Sequence, residues 1–248
     1  MPEFYEEKQA LPCYMFDCNA LLRPSSFMDI AQELAAKGSG QLGIPDRVLA
    51  QYGLVWILAR MRVDFLKTPR RLDSVSARTW HRGAESLFYI RDYQLLDSAG
   101  SVAVASTSSW VLMDTRTRTV VRPSRLPDIL DVPAQNAAAS YPGSADYVCE
   151  KIVLPKGLET ELMCERTPVY SDLDYNGHVN NAKYVMWALD ALPLDFVRDH
   201  PLKSLEINFN REALPGSTVL LHHAAAGNVH FVEGTLSSDQ AFICRFTF

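Results

Sequence analysis

The sequence has no long apolar run. Nowhere do the ~18 consecutive apolar residues of a membrane-spanning helix occur, so no membrane span is expected. Cysteine is sparse: five in 248 residues (Cys13, Cys18, Cys149, Cys164, Cys244), odd in number and without a Cys-x-x-Cys pair. Such scatter offers neither a disulfide framework nor a zinc site, and it fits a reducing, cytoplasmic setting. The opening MPEFYEEKQ lacks the basic-then-apolar order of a signal or transit peptide, and none is expected. No phosphate loop or dinucleotide fingerprint is present, so no cofactor is expected. His222 and His223 are adjacent and would face opposite sides of a strand. With His230 they make no ligand spacing, so no metal is expected either.

An excess of basic charge is also missing. The net charge is −5, which argues against a nucleic-acid partner. The charge is uneven, however. Residues 1–147 carry 16 acidic and 16 basic side chains, leaving 13 acidic and 8 basic after residue 147. The balanced part holds two basic stretches: Arg60, Arg62, Lys67, Arg70, Arg71, Arg78 and Arg82, then Arg116, Arg118, Arg122 and Arg125. They read as solvated strand faces or as a docking patch for an acidic partner.

What is present is a pattern stated twice. SSFMDIAQELA places Phe27, Ile30, Ala31 and Leu34 at helical spacing, with Ser26 and Asp29 as a capping box. YGLVWILARMRVDF then alternates, with Val55, Ile57, Ala59, Met61, Val63 and Phe65 on one face of a long strand. SLFYIRDYQLLD and SVAVASTSSWVLMD follow as strands joined around Ser98-Ala99-Gly100. Later, NNAKYVMWALDAL has helical period and stops at Pro193, and SLEINFN, STVLLHHAAA, NVHFVEGTLS and AFICRFTF read as strands. VDFLKTPRRLDSV aligns with INFNREALPGSTV at a shift of 144 residues, which favours duplication. The expected division is a first domain over 1–132, an Ala/Ser/Pro/Gly-rich linker over 133–147, and a second domain over 148–248. A helix on a long antiparallel sheet is the hot-dog architecture, and two in one chain form a pseudo-dimer. A generic α+β sandwich is the alternative.

One short stretch stands apart. DYNGHVNNAKYVMW, Asp174 to Trp187, sets Asp174, Asn176, His178 and Asn180 around Gly177. Asn-Gly followed by an N-cap asparagine is enough for a turn that starts a helix. A cap needs one acceptor, and four polar groups are supplied. Gly177 lets backbone approach a ligand, and N–H groups near Gly177 and Val179 could polarise a carbonyl. His178 could hydrogen-bond a reacting group or orient water.

The same stretch resembles the active-site segment of the acyl-acyl-carrier-protein thioesterases of plastids and bacteria, D-x-N-x-H-V-N-N-x-x-Y followed by Trp. INFNREALPG resembles their second signature, an aromatic residue, then Arg-Glu before a small residue and Gly. The resemblance covers both halves. It implies an α+β tandem double hot-dog, each a central helix wrapped by a long antiparallel sheet. It implies hydrolysis of fatty acyl-acyl-carrier-protein thioesters to free acid and carrier thiol, terminating fatty acid synthesis. Catalytic roles fall to Asp174, Asn176, His178 and Glu212. Glu212 rests on the resemblance alone, since a Glu beside Arg211 is by itself an ordinary surface ion pair. Glu212 would act as general base on water, with His178 and Asn176 positioning water and thioester. Asp174 would hold the helix start or share the base role. Asn180, Gly177 and Val179 would line the substrate. In plant members a Cys follows that Glu; here Ala213 stands there, so no thiol can serve as nucleophile at that position. The family's acyl slot lies between helix and sheet of the first domain, where Met28, Ile30, Val55, Ile57, Met61 and Trp110 are candidates. Arg60, Arg62, Lys67, Arg70 and Arg71 would dock the acidic carrier protein. Association of two chains stays open. Rival functions are an acyl-CoA thioesterase, a hot-dog dehydratase and a non-catalytic acyl-binding module.

Overall fold

The computed structural model describes residues 4–126, 134–135 and 149–248. The expected 133–147 linker lies outside them apart from Ala134 and Gln135. Two compact units emerge, Met1–Cys13 with Ile30–Cys149, and Tyr14–Asp29 with Glu150–Phe248.

The first unit contains β1 (Tyr5–Gln9), most of α1 (Pro24–Gln41), α2 (Asp46–Gln51), β2 (Leu54–Phe65), β3 (Val75–Glu85), β4 (Phe88–Leu96), β5 (Val102–Asp114) and β6 (Val120–Val121). Its strands lie antiparallel in the order β1-β3-β4-β5-β2, with β6 on β5. The second contains β7 (Glu161–Arg166), α3 (Asn181–Asp190), α4 (Leu194–Asp199), β8 (Ser204–Phe209), β9 (Val219–Ala226), β10 (Val229–Leu236) and β11 (Asp239–Thr247). Its order, β7-β9-β10-β11-β8, is the same strand for strand. Each is an α+β hot-dog sheet.

The repeat holds down to single hydrogen bonds. β2 ends at Phe65 and β8 at Phe209; β3 starts at Val75 and β9 at Val219, both 144 residues apart. The N–H groups of Leu66 and Lys67 both donate to the Ala103 carbonyl, at 3.0 and 2.9 Å. Those of Asn210 and Arg211 both donate to the Ala241 carbonyl, at 2.8 and 2.9 Å.

Two sequence expectations are corrected. α1 starts at Pro24, not after Ser26, and the Phe27 N–H donates to the Arg23 carbonyl at 3.1 Å. Proline suits the first helical position, where its missing N–H has no intrahelical partner to lose. Ser26 therefore lies inside the first turn and caps nothing. In β2 the register slips between Leu58 and Arg60. This bulge reverses the alternation, so Leu54 and Leu58 are buried before it and Met61, Val63 and Phe65 after it. Ile57 is 37% exposed. It does not share the buried face of Leu54 and Leu58, and unbroken alternation would not have placed it with them either.

In the first unit, Ile44, Leu49, Leu54, Tyr89 and Leu112 form a buried cluster backed by Trp56 and Trp110. In the second, α3 lays Tyr184, Val185, Trp187 and Ala188 into the core. Each fully buried aliphatic side chain contributes roughly 1.5–3 kcal/mol. Phe242 of β11 meets Tyr184, while its neighbour Ile243 joins Ile152 and Phe231 in a separate cluster. Gly234 lies opposite Phe242 in the ladder, and a Cβ there would sit 2.1 Å from the Phe242 Cε1. All five cysteines are free thiols, and burial pushes the Cys244 thiol well up.

The sheet also joins two histidines that the sequence left apart. His223 Nε2 lies 3.0 Å from His230 Nδ1, with the rings stacked. Phe196 and Phe248 cover His230. Burial lowers the pKa of both; the charges of His223 and His200 add to the effect at His230, while Glu161 opposes it at His223. A depressed folded-state pKa means that the unfolded chain binds these protons more readily. Their contribution to stability is thus present above the ordinary histidine pKa of about 6.5 and is lost as pH falls below it. The thermal midpoint should drop between pH 7 and pH 5, and His230→Gln should flatten that drop. An unaltered pH dependence in the variant would remove the pair as its cause.

Candidate active site

Between β7 and α3 the chain makes one tight turn. An isolated antiparallel bridge joins Leu173 to Val179. Asp174 organises everything between them. Its Oδ1 accepts the N–H groups of Asn176 at 2.8 Å and His178 at 3.2 Å, and its carbonyl accepts that of Gly177 at 3.0 Å. Gly177 takes φ +78, a left-handed conformation that costs glycine nothing. Asn180 then caps α3, its side chain accepting the Ala182 N–H at 2.8 Å. Val179 is buried.

This bonding occupies part of the backbone that was expected to polarise a carbonyl. The Gly177 and His178 N–H groups already close the turn on Asp174, so they are not aimed at a substrate carbonyl. The Asp174 Oδ1 is equally engaged. Of the turn's side chains, Tyr175 and Asn176 are exposed and His178 is half-buried.

Glu212 comes from the other side. β8 ends at Phe209, the Asn210 and Arg211 N–H groups are held by the Ala241 carbonyl, and the buried Ala213 N–H donates to the Tyr184 Oη at 2.8 Å. Between those anchors Glu212 projects toward the turn, its Oε2 3.5 Å from His178 Nε2. The two side chains are 44% (His178) and 33% (Glu212) exposed, so water can reach both. Arg211 is not its partner; that guanidinium pairs with Asp239. The surface ion pair that argued against a role for Glu212 is thus made by its neighbour.

Sequence reasoning missed that the first half carries the same turn. Phe16 bridges Leu22; the Asp17 Oδ1 accepts the N–H groups of Asn19 at 2.8 Å and Leu21 at 2.9 Å; Ala20 takes φ +57. Every position lies 157 residues before its counterpart in the second turn. DCNALLRP against DYNGHVNN was the available signal, two D-x-N triplets ahead of two helices. Leu21 stands where His178 is, and at the 144-residue shift Thr68 stands where Glu212 is. Here the turn has a mechanical use: the Asn19 side chain donates to the Arg198 carbonyl at 2.6 Å.

The remaining expected residues fall elsewhere. Met28 and Met61 are fully buried, and Trp110 donates to the Ser108 hydroxyl at 2.7 Å. Of the expected docking residues, Arg60 donates to the Cys149 carbonyl and lies over the Phe88 ring, Arg62 pairs with Asp64, and Lys67 pairs with Asp97. Arg70 and Arg71 are exposed, as are Arg116, Arg118, Arg122 and Arg125. Among the described residues no group of three or more His, Cys, Asp or Glu could hold a metal ion, and no helix is long and apolar enough to cross a membrane.

Comparison with known proteins bears on this geometry. The family model of the acyl-ACP thioesterase N-terminal domain matches residues 2–131, and that of the acyl-ACP thioesterase C-terminal domain matches residues 156–242. The chloroplastic oleoyl-acyl carrier protein thioesterase 1 of Arabidopsis thaliana is 27% identical over 217 residues, 84% of this chain and 60% of its own. The chloroplastic palmitoyl-acyl carrier protein thioesterase of Gossypium hirsutum is 30% identical over 180 residues, 66% of this chain and 40% of its own. The chain thus spans about 60% of the length of the first of these relatives. The crystal structure of an acyl-ACP thioesterase from Bacteroides thetaiotaomicron matches with a TM-score of 0.80 at 20% identity, over 99% of this chain and 98% of that one. The 12:0-ACP thioesterase from Umbellularia californica matches with a TM-score of 0.81 at 21% identity, over 100% and 97%. At those identities the structures speak to the fold.

Proposed function

The chain belongs to the acyl-ACP thioesterase family, and on that premise we propose that it hydrolyses fatty acyl thioesters of an acyl carrier protein, with Glu212 as general base. The observation that carries the chemistry is the 3.5 Å approach of the Glu212 carboxylate to the His178 imidazole. Water held between these groups loses a proton to Glu212 as its oxygen attacks the thioester carbonyl carbon. The tetrahedral intermediate collapses, the carbon–sulfur bond breaks, and His178 passes the proton on to the departing sulfur. The Asn176 side-chain amide, standing free of the turn's own bonds, takes the oxyanion. Asp174 is the residue that shapes the turn, a role favoured over base or nucleophile by the two N–H groups on its Oδ1. The 1–132 domain is assigned the acyl chain and the 148–248 domain the chemistry.

Thiol release measured over carrier-protein substrates from short to long chain, beside the CoA thioester of equal length, tests the proposal. Release from the carrier-linked substrate, with free acid in equal amount, is expected. Stoichiometric retention of the acyl chain without thiol would make the protein a binding module instead. Docking of the acidic carrier falls to the exposed arginines, Arg70, Arg71, Arg116, Arg122 and Arg125, more than to the internally engaged Arg60, Arg62 and Lys67. KM for the carrier substrate should therefore rise with ionic strength, because exposed charges are screened within ~10 Å at 0.1 M salt. A KM indifferent to salt would exclude electrostatic docking.

A further inference from the structure

The Glu212 segment is held by one side chain on the helix that follows His178. The Tyr184 ring meets Phe209 edge-on, with centroids 5.7 Å apart, and its hydroxyl accepts the Ala213 N–H at 2.8 Å. Residues 209 and 213 lie on either side of Glu212, so a single tyrosine grips both ends of the span that presents the carboxylate. The ring is fixed in turn by Phe242 at 5.1 Å and Trp187 at 5.4 Å. A group locked on several sides transmits position well.

The internal repeat supplies an independent observation. At the 157-residue shift Tyr184 corresponds to Phe27, and at the 144-residue shift Ala213 corresponds to Pro69. Phenylalanine has no hydroxyl and proline has no N–H, so neither partner of this hydrogen bond exists in the first copy. The turn, its aspartate, the helix after it and the paired strand ends all persist there. The hydrogen bond is therefore dispensable for building the turn and the strand end. It is absent together with the histidine and the glutamate, replaced there by Leu21 and Thr68.

We propose that Tyr184 is a positioning residue for the reaction, holding Glu212 at its working distance from His178 through the Ala213 N–H. This rests on the reading of Glu212 as base. Burial pushes the Tyr184 hydroxyl up to about 12, with the Ala213 N–H bond opposing and the charges of Glu212 and Asp174 adding to it, so it stays neutral and takes no proton from water itself.

The test compares Tyr184→Phe, Tyr184→Phe/Ala213→Pro and Glu212→Gln in the full chain, reading kcat, KM, the kcat–pH profile and the thermal midpoint. Tyr184→Phe should lower kcat on the order of tenfold to a hundredfold, the scale of a misplaced catalytic group. KM should stay within about twofold, because substrate binding is not what is lost. The acidic limb of the profile should move, since the base then sits in different surroundings. The double variant recreates the first copy's apolar pair and should recover stability while remaining slow. A Tyr184→Phe enzyme with wild-type kcat and an unmoved acidic limb, beside an inactive Glu212→Gln, would overturn the proposal and leave the base intact. A double variant that regains full kcat along with its midpoint would overturn it as well, reducing the bond to a fold contact. Full activity of Glu212→Gln would remove the base, and this role with it.

Discussion

Glu212→Gln is expected to cut thiol release by about 10²–10⁴-fold while leaving the fold unchanged, the usual loss when a general base goes. The substitution keeps size and polarity. It removes the one property the proposed reaction requires, a carboxylate that can accept a proton. Glu212 is a third exposed and lies in the loop after β8, so little stability depends on its charge. The expected signature is a fall in kcat with KM nearly constant and an unshifted thermal midpoint. Asp174→Asn offers the contrast. An amide oxygen can still accept the Asn176 and His178 N–H groups, so that variant should stay closer to wild type than Glu212→Gln does. If the order were reversed, with the asparagine variant the more damaged, Asp174 would be a proton acceptor and the assignment of base would change hands.

Gly234→Ala should be the most destabilising single-methyl substitution in the second unit. The added Cβ would lie 2.1, 2.7 and 2.9 Å from three atoms of the Phe242 ring. That ring is fully buried and cannot swing out, since Tyr184 lies against it. Overpacking of a well-filled core costs typically 1–3 kcal/mol. Here the overlap with a rigid ring puts the loss at about 3 kcal/mol, the upper end of that range. For a chain of this size that corresponds to roughly 6–12 °C in the thermal midpoint. Activity should fall too, because displacing Phe242 moves the ring that backs Tyr184. An unchanged midpoint would mean that β10 and β11 can separate locally without loss, and that the contact does not constrain the core.

Much of the architecture was legible in the sequence because the strands that matter are long. Alternation in β2, the long strand-forming runs of β4 and β5, and the 144-residue echo ending in Phe65 and Phe209 mark the elements. The errors have local causes. One bulge near Ala59 reversed the inward face of β2, and nothing in the apolar pattern announces an extra residue. The start of α1 was misread because two serines look like caps and a first-turn proline is equally good. The short edge strands β1 and β7, YEEKQ and ELMCER, carry too many charges to be told from loops. Within the candidate site, His178 was legible from its crowded surroundings. Glu212 was not, since its meaning comes from a neighbour 34 positions away that only folding brings to 3.5 Å. Tyr184 looked like one more core aromatic. Its hydroxyl matters because of Ala213, and sequence spacing cannot report a hydrogen bond across two elements.

The doubled turn has a consequence for how this protein arose. A single ancestral hot dog would have carried one such loop, and fusion of two copies would have given a chain with a spare. The spare relaxed where reactivity was the constraint, at Leu21 and Thr68, and stayed put where mechanics was, at Asp17 and Asn19. The residues both halves share shape the turn, and those that differ, His178 and Glu212 against Leu21 and Thr68, are the ones proposed to carry the chemistry.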